Sequence, residues 1–240
     1  MNWLLSVQNL SKTFGGLRAV SDFTFDLADG EILGLVGPNG AGKSTAFGLI
    51  SGFLKPTSGR VSFDGQDVTG FAPRRLVRMG LVRTFQHGSI FSDLSVSDNV
   101  RLASTARLDS VRERNRAATE AIELFQLQDL LHMPSRLLPH GLQRIVSMAM
   151  AAAAQPRLLC LDEPLTGLGE VECKRALEAI LYLRENRKIS VLLVEHNLRA
   201  VMQICGRVIV LDFGKKIGDS APLEMKNNPK VLEAYLGSGV

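Results

Sequence analysis

Short runs of continuously apolar residues recur along the chain, and segments with helical spacing separate them. The clearest runs are 32–36, within 157–164, and 191–194. A strand that is apolar at every position must be covered on both faces, which is typical of a parallel sheet lying between layers of helices. The pattern therefore predicts an α/β fold with a mostly parallel sheet.

A different pattern occupies the N-terminal part of the chain. Residues 5–10 alternate between apolar and polar positions, and Phe23 and Phe25 alternate with polar neighbours. Such alternation is typical of a strand with one buried face, which antiparallel sheets allow. We therefore expect an antiparallel β part at the N-terminus.

A third pattern covers residues 87–155, where the strand signal is weak. Helical spacing extends over 96–106 and over 111–127. We interpret 87–155 as an all-helical lobe inserted into an α/β core made of 1–86 and 156–240. The 240 residues suit one large domain of this kind.

The turn after the first buried run is rich in glycine. Glycines let successive backbone N–H groups point at one anion, and the start of the following helix (predicted for 45–51) adds its positive dipole. Lys43 can reach the β- and γ-phosphates of a nucleotide, and the Ser44 hydroxyl can ligate Mg²⁺. Strand, turn and helix together form a P-loop, so we favour a nucleotide site over an ordinary glycine turn. The predicted binding residues are Gly37, Asn39, Gly40, Ala41, Gly42, Lys43, Ser44 and Thr45.

Candidate catalytic side chains fall at the ends of later strands, where ligands bind in open α/β sheets. Asp162 suits a carboxylate near Mg²⁺, and Glu163 beside it can polarise the attacking water. His196 follows the next apolar strand and can hydrogen-bond the γ-phosphate. Gln86, where the helical lobe begins, offers an amide that can ligate Mg²⁺ or position water. An Asp-Glu pair or a lone histidine is more often structural, but a P-loop in the same chain favours the functional interpretation.

Composition excludes several other classes of protein. The chain is 45% apolar and 22% charged, with a net charge of +4. Its basic residues are scattered and not interleaved with aromatic ones, so we expect no nucleic-acid partner. Cys160, Cys173 and Cys205 lack metal-ligand spacing, which suits reduced cysteines in a cytoplasmic protein. The N-terminus does not have the pattern of a signal peptide, and no run approaches the ~20 apolar residues that span a bilayer. Any membrane role must therefore come through partners.

The motifs together resemble the ATP-binding subunit of an ABC transporter, over essentially the whole chain. They fall in that family's order and spacing: the P-loop, Arg83-Thr84-Phe85-Gln86, Leu161-Asp162-Glu163-Pro164 and Glu195-His196-Asn197. Within the family, three segments are similar to the branched-chain amino acid uptake group. These are Phe14-Gly15-Gly16-Leu17, Arg83-Thr84-Phe85-Gln86-His87 and Val231-Leu232-Glu233-Ala234-Tyr235-Leu236-Gly237.

The resemblance implies an ATP-hydrolysing subunit with ATP and Mg²⁺ as its ligands. Two such subunits would enclose two ATP molecules, each between one chain's P-loop and the other chain's signature segment. Phe14 matches the position of an aromatic that stacks on adenine, although a buried turn aromatic is the alternative. Gln86 would link the nucleotide to a groove that receives a coupling helix of the permease. The implied location is the cytoplasmic face of the inner membrane, on permease subunits, with a solute-binding protein as an indirect partner.

Two segments depart from the family pattern. The signature Leu-Ser-Gly-Gly-Gln is replaced by Leu138-Pro139-His140-Gly141-Leu142, so Pro139 stands in place of the serine. Gly141 survives as a candidate contact to the partner's nucleotide, the helix start keeps its backbone N–H groups, and His140 can replace the lost donor. Gly169 stands where an aspartate usually communicates across the dimer. The partner is either a second copy of this chain or a sibling ATPase subunit. Since transporters of this group usually pair two different ATPase subunits, the hypothesis is that a sibling with an intact signature completes the site of this chain.

Other functions fit the sequence less well. An exporter ATPase, such as the lipopolysaccharide-extraction type, has a similar sequence and is the close alternative. A soluble ABC ATPase of translation or DNA repair normally needs two nucleotide domains or a long coiled coil, and a P-loop kinase should lack the arrangement around Glu163. The transported solute is specified by proteins other than this chain.

Overall fold

The computed structural model describes residues 3–84 and 90–236. The chain forms two compact units, and it passes from one to the other within a helix and returns before a strand. The first unit contains the residues up to Leu76 and those from Ser190 onwards, and the second contains Val77–Ile189. The predicted helical lobe, 87–155, lies inside the range of the second unit.

An antiparallel sheet opens the first unit, as the alternating pattern predicts. Its strands are β1 (Trp3–Phe14), β2 (Leu17–Ala28), β4 (Ser58–Phe63) and β5 (Gln66–Asp67), in the order β2-β1-β4-β5. Phe23, Phe25 and Phe63 are buried on one face, and the polar residues between them are more exposed. Burial of these rings is the main stabilising contribution of the sheet.

The parallel part of the first unit is built around β3 (Ile32–Val36). β3 pairs in parallel with β8 (Ser190–Val194) on one side and with β9 (Arg207–Asp212) on the other. β9 then turns into the antiparallel strand β10 (Lys215–Ser220). Every residue of β3 and β8 is buried, which is why these strands read as continuous apolar runs.

Helices of the first unit follow its strands. α1 (Lys43–Ile50) follows β3, and α7 (Leu198–Ile204) connects β8 to β9. The chain ends with α8 (Pro222–Met225) and α9 (Pro229–Leu236), which both pack on β10. The helix α2 (Pro73–Met79) contains the point at which the chain enters the second unit.

The second unit combines a short parallel pair of strands with the helices. β6 (Leu81–Arg83) pairs with β7 (Leu158–Asp162), whose five residues are all buried. The helices are α3 (Val96–Ser104), α4 (Val111–Leu124), α5 (His140–Ala153) and α6 (Glu170–Arg187). α3 and α4 begin where predicted and end two and three residues early, because the chain turns at Thr105 and at Phe125.

One buried asparagine joins the loops around α3. Asn99 has no exposed surface, and the two N–H groups of its amide are shared among four acceptors at 3.0–3.3 Å: the Phe91, Leu94 and Ser95 carbonyls and the Ser135 hydroxyl. Its amide oxygen accepts the Phe91 N–H at 2.7 Å. Because every polar atom of this side chain is satisfied, the network stabilises the segment that leads to α5.

None of the helices within 3–84 and 90–236 is long and apolar enough to cross a membrane. Cys160 and Cys205 are buried and Cys173 is half-buried, and all three are free thiols in this structure. Burial raises the pKa of both Cys160 and Cys205 to about 12, so these thiols stay protonated at neutral pH.

Candidate functional site

The glycine-rich loop lies where the sequence predicts, between the end of β3 at Val36 and the start of α1. The helix begins at Lys43, two residues earlier than predicted. Lys43, Ser44 and Thr45 therefore form its first turn, where backbone N–H groups have no partner inside the helix. An anion held in this loop would meet those N–H groups and the positive end of the helix dipole.

Two glycines of the loop are required by the backbone. Gly37 has φ +150° and Gly42 has φ +96°, and a Cβ on either would overlap the carbonyl oxygen of a neighbouring strand. The neighbours are Leu211 for Gly37 and Ala19 for Gly42. Only glycine combines this dihedral angle with so close an approach, so the loop is held tightly against β9 and β2.

Lys43 closes the loop on itself. Its ammonium donates to the carbonyl oxygens of Gly37 at 2.7 Å and of Pro38 at 2.9 Å, and the residue is buried. These bonds hold the ammonium against the carbonyls of the loop that precedes α1. A phosphate oxygen that entered the loop would be a stronger acceptor than a neutral carbonyl.

The turn between β9 and β10, which was not predicted as part of the site, is hydrogen-bonded to the glycine-rich loop. Gly214, between β9 and β10, donates its N–H to the Ala41 carbonyl at 2.9 Å, and its carbonyl accepts the Ser21 N–H at 2.8 Å. Gly214 has φ +75°, and a Cβ there would press on Ala19. The signal was a glycine directly after a buried strand, which reads as an ordinary hairpin turn.

Tyr235 on α9 is a second contact of the loop that sequence reasoning missed. Its hydroxyl is buried and faces the backbone amide of Gly37. Burial raises the pKa of Tyr235, and the Gly37 amide offsets part of that increase. The C-terminal segment, quoted above only as a marker of a subgroup, therefore reaches the start of the P-loop.

Phe14 is placed as an aromatic available for stacking. It ends β1, its ring is 45% exposed, and the Lys12 ammonium lies 5.0 Å from the ring centroid. The alternative that the ring is a buried turn residue does not hold, because almost half of its surface is exposed. An exposed ring at a strand end can stack on a planar base.

His196 directly follows β8, and its side chain is exposed. The preceding residue, Glu195, has no exposed surface. The Glu195 carboxylate accepts the backbone N–H of His196 at 3.2 Å and that of Asn197 at 3.4 Å. The backbone that carries the exposed imidazole is therefore bound by a buried carboxylate.

Asp162, in the second unit, ends β7 and is paired with Arg83. The two side chains meet at 2.8 Å, and both are largely buried, at 6% and 15% exposure. The backbone N–H of Asp162 also lies 3.4 Å from the Thr84 hydroxyl. Arg83 was quoted above only as part of a motif, and no local pattern shows that a residue 79 positions away neutralises Asp162.

Glu163 follows with a left-handed backbone, φ +46°. This conformation is rare for a residue other than glycine, and it clusters at functional sites. The Glu163 carbonyl accepts from the Arg144 guanidinium at 2.8 Å, so α5 fixes the peptide on which the carboxylate is mounted. The Glu163 residue itself is half-buried.

The altered signature segment still begins a helix. Pro139 precedes α5 and its carbonyl accepts the Gln143 N–H at 3.0 Å, while His140 is the first helical residue. Pro139 and His140 are exposed. A Cβ on Gly141 would make only ordinary contacts, the nearest 3.5 Å from the Leu168 side chain. Nothing within the second unit therefore requires glycine at 141.

Gln86, the remaining predicted residue, lies outside the described residues. The strand that precedes it, β6, ends at Arg83.

Two surface grooves occur in the second unit. One, of about 190 Å³, lies among β6, α3 and α5, is almost entirely apolar, and has small residues such as Ala103, Ala106 and Ala151 in its lining. Another, of about 570 Å³, lies between α4 and α6, where Arg187 pairs with Glu120 at 2.8 Å. The larger groove contains none of the predicted site residues, so the size of a groove does not indicate the candidate site in this unit.

The oxygen donors of the candidate residues are of the kind that Mg²⁺ prefers. Ser44 offers a hydroxyl and Asp162 a carboxylate, and Mg²⁺ is usually held by one or two such side chains together with water and phosphate oxygens. In the described part of the chain, no cluster of three or more His, Cys, Asp or Glu side chains is suited to a metal. Ser44 and Asp162 each offer an oxygen donor of the kind that suits Mg²⁺.

Comparison with known proteins gives consistent matches. The family model for "ABC transporter" matches residues 20–166. The chain is 36% identical to the high-affinity branched-chain amino acid transport ATP-binding protein LivG of Salmonella typhimurium, over 98% of each chain. It is 32% identical to the lipopolysaccharide export system ATP-binding protein LptB of Haemophilus influenzae, over 98% of this chain and 97% of that one.

Solved structures agree with the fold. The ADP conformation of MJ1267, an ATP-binding cassette of an ABC transporter, superposes with a TM-score of 0.89 at 26% identity, over 99% of both chains. The predicted fold class is thereby confirmed: an α/β cassette with an antiparallel part and helical segments.

The Asp162–Arg83 pair yields a prediction about stability. Arg83→Met keeps the apolar stem but leaves a buried carboxylate without its cation, which should lower the free energy of unfolding by about 3 kcal/mol. Arg60→Met breaks the exposed Arg60–Asp67 pair and should cost under about 1 kcal/mol. Urea unfolding measures both.

The double variant Arg83→Met/Asp162→Asn serves as the control for this prediction. Because it removes both charges, it should recover most of the lost stability. Equal, small losses for Arg83→Met and Arg60→Met would contradict the interpretation of the buried pair.

Proposed function

The chain belongs to the ABC transporter family, and from that premise we propose that it is the ATP-hydrolysing subunit of an importer for branched-chain amino acids or related small polar solutes. The observation that carries the ATPase part is the glycine loop that closes around Lys43. The observation that favours import is the 36% identity to LivG over 98% of each chain. We propose that the chain acts as one cassette, with 87–155 as its helical lobe.

Binding of ATP would be divided between base and phosphates. Phe14 would stack on adenine, and the amides at the start of α1 would receive the phosphate oxygens with Lys43. Residues 37, 39–42 and 45 shape that loop. The ammonium would exchange its two carbonyl partners for the β- and γ-phosphates, which is a favourable exchange because these oxygens carry charge.

Hydrolysis would depend on side chains at two strand ends. Glu163 would accept a proton from the attacking water, and His196 would hydrogen-bond the γ-phosphate and orient that water. Ser44, Gln86 and Asp162 would hold Mg²⁺, which would withdraw charge from the phosphates. The Arg144 bond to the Glu163 carbonyl supports this role, since a base must be held in a fixed geometry to act.

ABC cassettes dimerise and pair with membrane permeases. For this chain we propose docking to permease subunits at the cytoplasmic face of the inner membrane, with a solute-binding protein as an indirect partner. The small apolar groove beside β6 and α3 supports this proposal, because alanine side chains in its lining leave room for a coupling helix. Gln86 would connect that groove to the nucleotide.

Export of a lipopolysaccharide-type substrate is the second candidate. It is supported by the 32% identity to LptB over almost the whole of both chains. Purification from the native membrane with its partners distinguishes the two functions, because an importer co-purifies with a permease whose ATPase is stimulated by a loaded solute-binding protein.

Two substitutions should distinguish the proposed base from the phosphate-binding lysine, because one affects ATP turnover and the other affects ATP binding. Glu163→Gln keeps the size of the side chain but removes the proton acceptor, so ATP should still bind and trap a closed dimer while turnover falls by about 10²–10⁴-fold. Lys43→Ala should abolish binding. Nucleotide titration and phosphate release measure the two effects. Near-normal hydrolysis by Glu163→Gln would remove it as the base, and retained affinity in Lys43→Ala would undermine the P-loop site.

The coupling groove can be tested by charge insertion. Ala106 is exposed and lies in its lining, so Ala106→Glu should leave the ATPase of the isolated chain intact while abolishing its stimulation by the permease. Val111→Glu is the matched control, since Val111 is 67% exposed, starts α4 and is not part of the groove. If both variants are stimulated equally in the reconstituted transporter, the permease docks elsewhere.

The altered signature favours a sibling subunit over a homodimer. Pro139 cannot donate the hydrogen bond of the family's serine, and such a bond to a charged group is worth about 1.5–3 kcal/mol. We therefore expect the isolated chain to hydrolyse ATP at least about tenfold more slowly than the assembled transporter. Equal rates, measured per catalytic site, would rule out the sibling hypothesis.

A further inference from the structure

The carboxylate of Glu195 carries an inference that the proposed mechanism does not use. Charged side chains are rarely fully buried, yet Glu195 has no exposed surface and directly precedes the exposed His196. Its Oε2 atom accepts two successive backbone N–H groups, at 3.2 Å from His196 and 3.4 Å from Asn197. The contact is thus made to the backbone of the proposed catalytic histidine itself.

Helix capping does not explain this contact. α7 has its own cap, because the Asn197 side-chain oxygen accepts the Ala200 N–H at 3.3 Å and the Asn197 carbonyl accepts the Val201 N–H at 3.1 Å. Glu195 instead binds the two residues that come before the helix. The two side chains therefore serve different backbone groups: Asn197 accepts from the first turn of α7, and Glu195 accepts from the amides of His196 and Asn197.

The charge of the same carboxylate also acts on the residue that follows α7. Cys205 follows α7, and its buried thiol lies close enough for the Glu195 charge to add to the effect of burial in raising its pKa to about 12. The thiol therefore stays protonated and adds no second negative charge. β8, which ends at Val194 with every residue buried, provides a rigid base for this arrangement.

We propose that Glu195 is a positioning residue for His196: its buried carboxylate fixes the backbone amides of His196 and Asn197 and so holds the imidazole where it meets the γ-phosphate. This inference rests on the proposed function, since it assigns His196 a role in hydrolysis. It requires the reach of the side chain, because a carboxylate one methylene shorter leaves the Oε2 position from which both amides are bound together, and it keeps at most the local bond of an Asx-turn. It does not require the charge, because an amide oxygen at the same distance accepts the same two bonds.

Two conservative variants separate reach from charge. Glu195→Asp keeps the charge and loses the reach, so kcat should fall by about 10–100-fold while KM for ATP changes by less than about threefold, because a displaced catalytic group slows chemistry without weakening the P-loop. Glu195→Gln loses the charge and keeps the reach, and its kcat should stay within about threefold of the wild type. Steady-state kinetics of the assembled transporter measure both.

A double-mutant cycle shows whether the effect passes through His196. If it does, Glu195→Asp/His196→Ala should be no slower than His196→Ala alone, because the imidazole to be positioned is already absent. Additive losses would overturn the proposal and leave Glu195 a general structural role. So would equal impairment of the aspartate and glutamine variants, or an aspartate variant as active as the wild type.

Hydrogen exchange tests the contact without activity. The amides of His196 and Asn197 should exchange slowly in the wild type and in Glu195→Gln, and at least about tenfold faster in Glu195→Asp, while the other amides of β8 stay protected. Unchanged protection in Glu195→Asp would overturn the proposal even if kcat fell. If His196→Ala hydrolyses ATP normally, the proposed role of the histidine fails instead, which the exchange data distinguish from a failure of the contact.

Discussion

The structure depends on one backbone constraint, the turn that carries the chain from β3 into α1. The turn must expose several amides to one point and also pass against β9 and β2, so Gly37 and Gly42 have positive φ and no room for a side chain. Lys43 then folds back on the carbonyls of the same turn. The surrounding elements keep this backbone in place: a hairpin glycine bonds to Ala41, and the C-terminal helix brings a tyrosine to Gly37. The proposed phosphate site would be formed mainly by main-chain amides.

The acidic residues at strand ends follow a second rule, which is that a buried carboxylate needs donors. Asp162 has Arg83, and Glu195 has the amides that follow it in sequence. These two solutions have different consequences. An ion pair between distant residues makes the charge part of the fold's stability, so its loss is felt in unfolding. A carboxylate that binds its own following amides sets the local geometry of the backbone. The ion pair of Asp162 thus stabilises the second unit, and the proposed role of Glu195 is to orient the residue that follows it.

Sequence patterns predicted what depends on neighbours along the chain. The continuous apolar character of β3 and β8, the alternation of β1 and β2 and the strand–glycine turn–helix order all reflect local burial, so they were read correctly. Helix ends were placed two or three residues too late, since the apolar spacing continues beyond the turns after Ser104 and Leu124. Arg83 with Asp162, Arg144 with Glu163 and Gly214 with Ala41 were not predicted, because each pair joins residues far apart in sequence. Such contacts are set by tertiary packing, and they leave no hydrophobic periodicity along the sequence from which they could be predicted.

The signature segment shows how a local departure can be compatible with the fold and still matter. Pro139 suits the position before a helix because its dihedral angle is already correct and its missing N–H has no helical partner there. The helix α5 is therefore unharmed, and its first amides still point away from the helix body. What changes is only the chemistry offered to a neighbour: a hydroxyl is absent, an imidazole is next to it, and Gly141 is kept at a position where a Cβ would make only ordinary contacts with its own chain. Pro139 is therefore neutral for the fold but unfavourable for a contact to the nucleotide of the partner subunit. Such a substitution is expected where a dimer has two different subunits, because its two nucleotide sites are then not equivalent.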